Sequence, residues 1–393
     1  MRRSSFFTRV IVIGVLMHIF VGWRLIPEWP VQPFVKALAV LWLISSCVLI
    51  PLGVLARRFE RQPLGDRIAW VGLLAMGYFS SLLVFTLLRE VTIASIFVLD
   101  VLQPGTASLD HWGVVTAVAV PALALLSTAI GFANARRRAK VVTVEVPVAD
   151  LPAALAGLTI VQISDIHVGP TIKKQYVEAI VAEVNRLAPD LVAITGDIVD
   201  GSVAQLAEHT RPLSGIRARY GAYLVTGNHE YYSGADEWVA EFRRLGLKVL
   251  LNEHVVIQHD DTRFVVAGVT DYSTGHLSGI HRSDPAGALK NAPPEAHVKV
   301  LLAHQPRTAL AAANLGYTLQ LSGHTHGGQF FPWNFFVRLQ QPFTAGLARI
   351  GDLWIYTSRG TGYWGPPKRL AAPSEITCVR LVPANSMSLS RVA

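Results

Sequence analysis

Two cysteines are few for a chain of 393 residues. Cys47 sits in an apolar run and Cys378 in an expected strand, and no CxxC pair occurs. That excludes a thiolate zinc knuckle and a disulfide framework. Charge is also scarce: 16% of residues are Asp, Glu, Lys or Arg, where a soluble domain carries about a quarter. Part of the chain is therefore expected in lipid. The net charge of +8 has no counterpart in the later two thirds. Residues 1–140 hold 14 Lys/Arg and 6 Asp/Glu, whereas residues 141–393 hold 21 of each. A nucleic-acid-binding domain needs a basic face of its own, so none is expected beyond residue 140. There is no internal repeat and no low-complexity tract.

Four long apolar runs occupy the first 140 residues, at 10–26, 34–56, 68–88 and 112–133. Each approaches the roughly 20 residues needed to span a bilayer. No small-residue cleavage site follows the first run, and three more follow it, so a cleaved leader is not expected. Basic clusters fall at Arg2, Arg3 and Arg9, at Arg57, Arg58, Arg61 and Arg67, and at Arg136, Arg137, Arg138 and Lys140. The other two loops offer only Arg24 and Arg89. The positive-inside tendency then predicts cytoplasmic termini and a cytoplasmic downstream domain at the plasma or inner membrane. The run 91–102 is apolar but short and contains Asp100, which predicts an interfacial or re-entrant segment. A further crossing there would reverse the orientation of everything after it.

Beyond Lys140 the pattern changes to short apolar runs alternating with amphipathic stretches. Buried strands are predicted at 158–164, 191–195, 222–226, 298–303, 318–322, 354–358 and 376–382. Helices are predicted at 172–187 and 235–245, and a strand pair at 248–258 and 262–269. Residues 141–154 are a connector, of which 141–148 could be a strand. Residues 155–383 form the second domain, and 384–393 a tail. The alternation predicts a layered α/β architecture.

Polar motifs follow the strands. SDIH (164–167), GDIVD (196–200), GNHE (227–230), a lone His304 and GHTH (323–326) each stand at a predicted strand's carboxyl end. Ligand sites in α/β sheets gather there. Eleven of thirteen histidines lie in this part. Imidazole and carboxylate without thiolate suit manganese, iron or zinc. In DxH the period of two would put Asp165 and His167 on one face, if the strand reaches that far. Glycines before Asp197, Asn228 and His324 permit sharp turns. Alone, Gly-Asp or Gly-Asn-His is an ordinary turn sequence, His304 a core histidine, and GHTH only moderately informative; five in order are a constellation.

Taken together, DxH, GDxxD, GNH, a lone His and GHxH resemble the calcineurin-like metallophosphoesterase superfamily over residues 155–382. GNHE stands where GNHD is commoner. GHTHGGQ (323–329) and SRGTGYWGPPKRL (358–370) look like its membrane-anchored bacterial branch. The resemblance implies a helix-flanked β-sandwich and two divalent metal ions. Asp165, His167 and His326 would hold one; Asn228, His304 and His324 would hold the other; Asp197 would bridge. His229 would face the scissile phosphate as the catalytic residue. Asp200 and Glu230 are either supports or turn and surface acids. Arg359, Tyr363 and Trp364 are either cleft residues or loop packing; Tyr231 and Tyr232 are read as packing residues.

The expected function is hydrolysis of a phosphodiester, phosphomonoester or pyrophosphate bond at a membrane. A lipid-linked substrate such as a UDP-acyl-sugar fits the anchored branch. The other reading is a catalytically silent membrane protein that senses or binds metal. No HExxH helix and no HxHxDH run points to another metallohydrolase class.

Overall fold

The computed structural model describes residues 2–56, 59, 62–105, 108–274 and 281–384. The cluster Arg57, Arg58 and Arg61 and the tail beyond residue 384 lie outside the described residues. The chain forms two compact units, Met1–Ala133 with Gly365–Lys368, and Asn134–Trp364 with Arg369–Ala393.

The first unit has four apolar helices: α1 (Arg2–Leu25), α2 (Pro33–Leu55), α3 (Gln62–Leu102) and α4 (Leu109–Arg136), the last three residues of which belong to the second unit. All four are long and apolar enough to cross a membrane. Val21, Leu25, Phe79, Leu82, Val120 and Ala124 make their small shared core, while most other apolar side chains point outward. That inversion suits a lipid solvent, in which helices satisfy their own backbone groups. Gly53 of α2 and Gly72 of α3 bring the two backbones so close that a Cβ on either would collide, the small-residue packing of membrane helices.

Two expectations change here. Residues 91–102 are not a separate interfacial segment but the continuation of α3, because no Gly or Pro interrupts the chain from Arg89 to Leu102. At 1.5 Å per residue this helix is about 60 Å long. Arg89 is also not in a loop. It is buried within α3, donating to Thr116 Oγ1 (3.1 Å) and Gly113 O (3.2 Å) and pairing with Glu90 (2.9 Å). Lys368 is likewise buried in this unit and donates to Gly77 O (3.1 Å) and Ser81 Oγ.

The second unit is built on two six-stranded mixed sheets. The first has the order β1 (Lys140–Val148), β12 (Glu375–Pro383), β2 (Thr159–Ile163), β3 (Leu191–Ile194), β4 (Ala222–Leu224) and β5 (Lys248–Val249). The second has β10 (Gly346–Ile350), β11 (Leu353–Thr357), β9 (Leu319–Ser322), β8 (Val298–Leu302), β7 (Thr262–Gly268) and β6 (Glu253–His259). The stretch expected as connector thus supplies an edge strand, β1, paired in parallel with β12. Residues 248–258 divide between the two sheets, and β10 was not foreseen.

Side-chain alternation decides the layers. In β3, Leu191 and Ala193 face the second sheet, while Val192 and Ile194 face α5 (Lys174–Arg186), α6 (Val203–Thr210) and the helix Ala235–Arg244. In β7, Phe264 and Val266 enter the core between the sheets, and Val265 and Ala267 pack outward with Ala288, Ala309 and Ala312. Nearly every one of these strand residues is fully buried. Continuous apolar runs follow, as both faces of each central strand are covered. The result is a β-sandwich with helices on both outer faces, in agreement with the expectation.

Candidate metal centre

All five motifs leave the carboxyl ends of strands β2, β3, β4, β8 and β9. These are neighbours in the parallel parts of the two sheets, so residues up to 161 positions apart meet. Gln162, in the core between the sheets, ties the two together by donating to Thr195 Oγ1 (2.8 Å) and Ser322 O (2.9 Å).

The backbone of the motifs is unusual. β2 ends at Ile163, before the DxH motif, so simple strand alternation does not present Asp165 and His167. Both instead have positive φ (53° and 55°), as do Asp197 (54°), His324 (70°) and His326 (51°). Left-handed geometry at a non-glycine residue costs on the order of 1–3 kcal/mol each. Neighbouring loops hold it: Asp165 N–H donates to Gly196 O (3.0 Å), His167 N–H to Asp197 O (3.1 Å), and Gly362 N–H to Asp165 O (3.0 Å). Of the three motif glycines only Gly196 needs positive φ. Gly227 and Gly323 are required for space, since a Cβ would strike the carboxylates of Asp197 and Asp165 respectively.

Six predicted ligands converge in three overlapping groups: Asp165, His167 and His326; His167, Asp197 and His229; and Asp197, His304 and His324. His167 Nε2 and His326 Nε2 are 3.1 Å apart, and His304 Nε2 and His324 Nδ1 are 3.2 Å apart. Asp197 Oδ2 lies 3.1 Å from His304 Nε2 and 3.9 Å from both His167 Nε2 and His229 Nε2. Asn228 Oδ1 is buried and finds no hydrogen-bond partner among the described residues. Buried polar atoms are nearly always partnered. An orphaned amide oxygen beside converging imidazole nitrogens and carboxylates is a donor set that fits divalent cations.

Second contacts aim these donors. His304 Nδ1 lies 2.7 Å from Thr195 O. As a carbonyl only accepts, this fixes the tautomer that turns Nε2 to the site. Asp200 touches two rings at once: its Oδ1 accepts from His229 Nδ1, and its Oδ2 is 3.2 Å from His167 Nδ1. Glu230, neither a surface acid nor a contact of the His229 ring, is fully buried. Its carboxylate accepts from the N–H groups of Asp197 (2.9 Å), Ile198 (2.7 Å) and Gly227 (2.7 Å). Arg369 is a support that the sequence reading missed. It reaches His326 Nδ1 (3.1 Å) and donates to the carbonyls of Arg359 (2.7 Å) and Gly362 (3.1 Å).

Electrostatics separate the ligands. Burial, then the charge of His304, pushes His324 down to about 3. Burial and the Arg369 guanidinium hold His326 well below the usual imidazole range. Both shifts favour the neutral form, the form in which an imidazole can ligate a metal. Burial alone would lower His229, but the carboxylates of Asp197 and Asp200 outweigh it and push it up to about 9. The same burial opposes ionisation of Asp200, and His229 and His167 overcome it, holding its carboxyl well below the usual range.

The remaining candidates divide. Arg359 pairs with buried Glu375 (3.0 Å), so its charge is engaged in the domain. Tyr363 is buried with its hydroxyl on Thr171 O (3.3 Å) and packs rather than lining a cleft. Trp364 is 45% exposed with its ring 5.7 Å from that of His229. Tyr232, read as a packing residue, is instead 66% exposed and 5.3 Å from the same ring. His254 Nδ1 donates to Ala288 O (2.8 Å), and His281 contacts Tyr231.

Residues 158–328 match the family model described as calcineurin-like phosphoesterase. A transmembrane protein with a metallophosphoesterase domain from Bos taurus is 42% identical over 65% of this chain and 61% of its own length. A protein of the same description from Danio rerio is 40% identical over 66% and 62%. The chain thus spans about three fifths of these two relatives. An uncharacterized metallophosphoesterase of Aquifex aeolicus is 34% identical over 57% of this chain and 85% of its own length. With four helices fit to cross a bilayer and this motif-bearing sandwich, the chain is a membrane protein that belongs to the calcineurin-like metallophosphoesterase family.

Proposed function

We propose that the protein is a dinuclear-metal phosphoesterase anchored in the membrane. Asp165, His167 and His326 would hold one ion, and Asn228, His304 and His324 the other, with Asp197 between them. The observation that carries this reading is the position of Asp197 Oδ2, within 3.9 Å of imidazole nitrogens from three separate motifs. Two divalent cations, manganese, iron or zinc, would supply Lewis acidity and an activated water. His229 has Asp200 on Nδ1, which leaves Nε2 toward the site. There it would donate a hydrogen bond to phosphate oxygens or a proton to the leaving group. Asp200 keeps that ring oriented, and Glu230 keeps the Asp197 turn closed.

The division into a membrane region to about residue 140, a hydrolase at 155–383 and a tail belongs to the same reading. So does a cytoplasmic catalytic domain at the plasma or inner membrane, argued from the basic clusters. A lipid-linked substrate such as a UDP-acyl-sugar, cleaved at a phosphodiester, phosphomonoester or pyrophosphate bond, fits the anchor. The test is turnover of bis(p-nitrophenyl) phosphate and p-nitrophenyl phosphate by the manganese-loaded full chain and by His229→Ala. The expected result is metal-dependent turnover that falls about 10²–10⁴-fold in the variant with metal retained. Metal bound without turnover of either compound, or of lipid-linked pyrophosphates, would favour the silent sensor.

A further inference from the structure

Residues 330–339 read FFPWNFFVRL and directly follow the last histidine motif. They include the short helix Trp333–Phe336. Phe331, Trp333, Phe335, Phe336 and Leu339 are all at least 40% exposed, a contiguous run of large apolar side chains that a soluble surface rarely tolerates. The segment is nonetheless held firmly. Gly328 passes so close to Asn334 that a Cβ would overlap it. Buried Gln341 closes the other end, donating to Gln305 Oε1 (3.1 Å) and accepting from Arg307 N–H (3.2 Å). Both anchors adjoin metal-centre motifs, at His326 and His304. Gln329 also clasps the backbone of Trp364 (2.8 and 2.9 Å), whose ring stands beside His229.

Charge and tether identify the partner. No Asp or Glu occurs from residue 296 to residue 351, a stretch that carries Lys299, Arg307, Arg338 and Arg349. Residues 330–339, whose one charged side chain is Arg338, do not repel anionic headgroups. Phe and Trp favour the boundary between headgroups and acyl chains. Only residues 137–139 separate α4 from β1, a reach of at most about 11 Å. A bilayer is therefore always present at high effective concentration. We propose that residues 330–339 dock into the headgroup region of the bilayer that anchors the chain, and that the phosphoester cleaved at His229 is carried on a lipid in it. The substrate part rests on the hydrolase reading above; the docking part rests on the membrane helices and the exposed aromatics.

Two measurements test it on the full chain in phosphatidylcholine–phosphatidylglycerol vesicles. In a Cys47→Ser, Cys378→Ser background, a fluorophore on Phe335→Cys is compared with one on Asp260→Cys at the β6–β7 turn. Quenching by spin-labelled lipid should be at least about twofold stronger at 335. Equal quenching overturns the docking, and so does shielding from iodide without lipid quenching, which would indicate a protein partner. In the otherwise native chain, Phe331→Ser, Phe335→Ser and Phe336→Ser are combined. Hydrolysis of p-nitrophenyl hexadecyl phosphate in the vesicles should fall at least about tenfold, with dissolved bis(p-nitrophenyl) phosphate changed by less than about twofold. Parallel loss on both, or no loss on either, overturns the lipid-substrate inference. Should the native chain cleave neither compound, the hydrolase reading fails, while the quenching result still decides the docking.

Discussion

The floor of the site and its rim are built by opposite rules. On the floor the donors are buried apart from half-buried His324, five carry left-handed backbone, and second contacts from Asp200, Glu230, Arg369 and Thr195 fix rings and turns. On the rim the side chains of Trp364 and Tyr232 stand exposed beside His229 in ring contacts, with the Trp364 backbone bonded to the neutral amide of Gln329. Metal ligands must be preorganised against desolvation, which demands redundancy. A surface that receives a substrate must stay open, which leaves it apolar and sparsely tied. On the proposed reading the chemistry belongs to the floor and selectivity to the rim.

Substitutions of decreasing effect sharpen that contrast. Asp197→Asn should be the most damaging. It removes the carboxylate charge between the two histidine sets, and we expect metal loss from both halves with turnover at background, read by metal analysis and by diester hydrolysis. Asp200→Asn should be milder. It keeps the size of the side chain but loosens His167 and His229 together, and outer-shell partners of this kind are worth about 10–100-fold in metal affinity or activity. A full loss of folding would show instead that Asp200 serves the core. Arg369→Met should lower affinity at the Asp165–His167–His326 half by about tenfold, at the lower end of that range, and leave the other half unchanged in a stepwise metal titration. Trp364→Ala should be the mildest for small substrates, with KM raised by less than about tenfold, as for an aromatic contact of about 1 kcal/mol. An effect on metal content would move Trp364 from rim to floor.

The same contrast separates what was legible in the sequence from what was not. Strands β2, β3, β8 and β9 are covered on both faces, so their apolar runs stood out. The motifs that follow them carry residue types with few other uses in such numbers. Asp165 and His167 were readable as a pair but not as left-handed residues, because β2 stops at Ile163 and the geometry is imposed by the Gly196 and Gly362 backbones. Arg369 lies 43 positions from the ring it supports, and no local pattern announces such a contact. Glu230 was ambiguous because its partners are backbone N–H groups, which leave no mark on side-chain sequence. Tyr232 looked like a packing residue since aromatic residues usually are; its exposure is set by the short helix that carries GNHE. Residues 91–102, apolar but short and carrying Asp100, looked like an interfacial or re-entrant segment, and they are the continuation of α3.

The central claim is that one carboxylate, Asp197, joins two distinct ion positions. The most direct measurement is the metal content of the full chain beside His326→Ala and His304→Ala, each loaded with manganese under the same conditions. The account predicts about two ions per native chain and about one in each variant, one loss per half, as a two-ion centre requires. Two ions in both variants, or none in either with the fold intact, would contradict it.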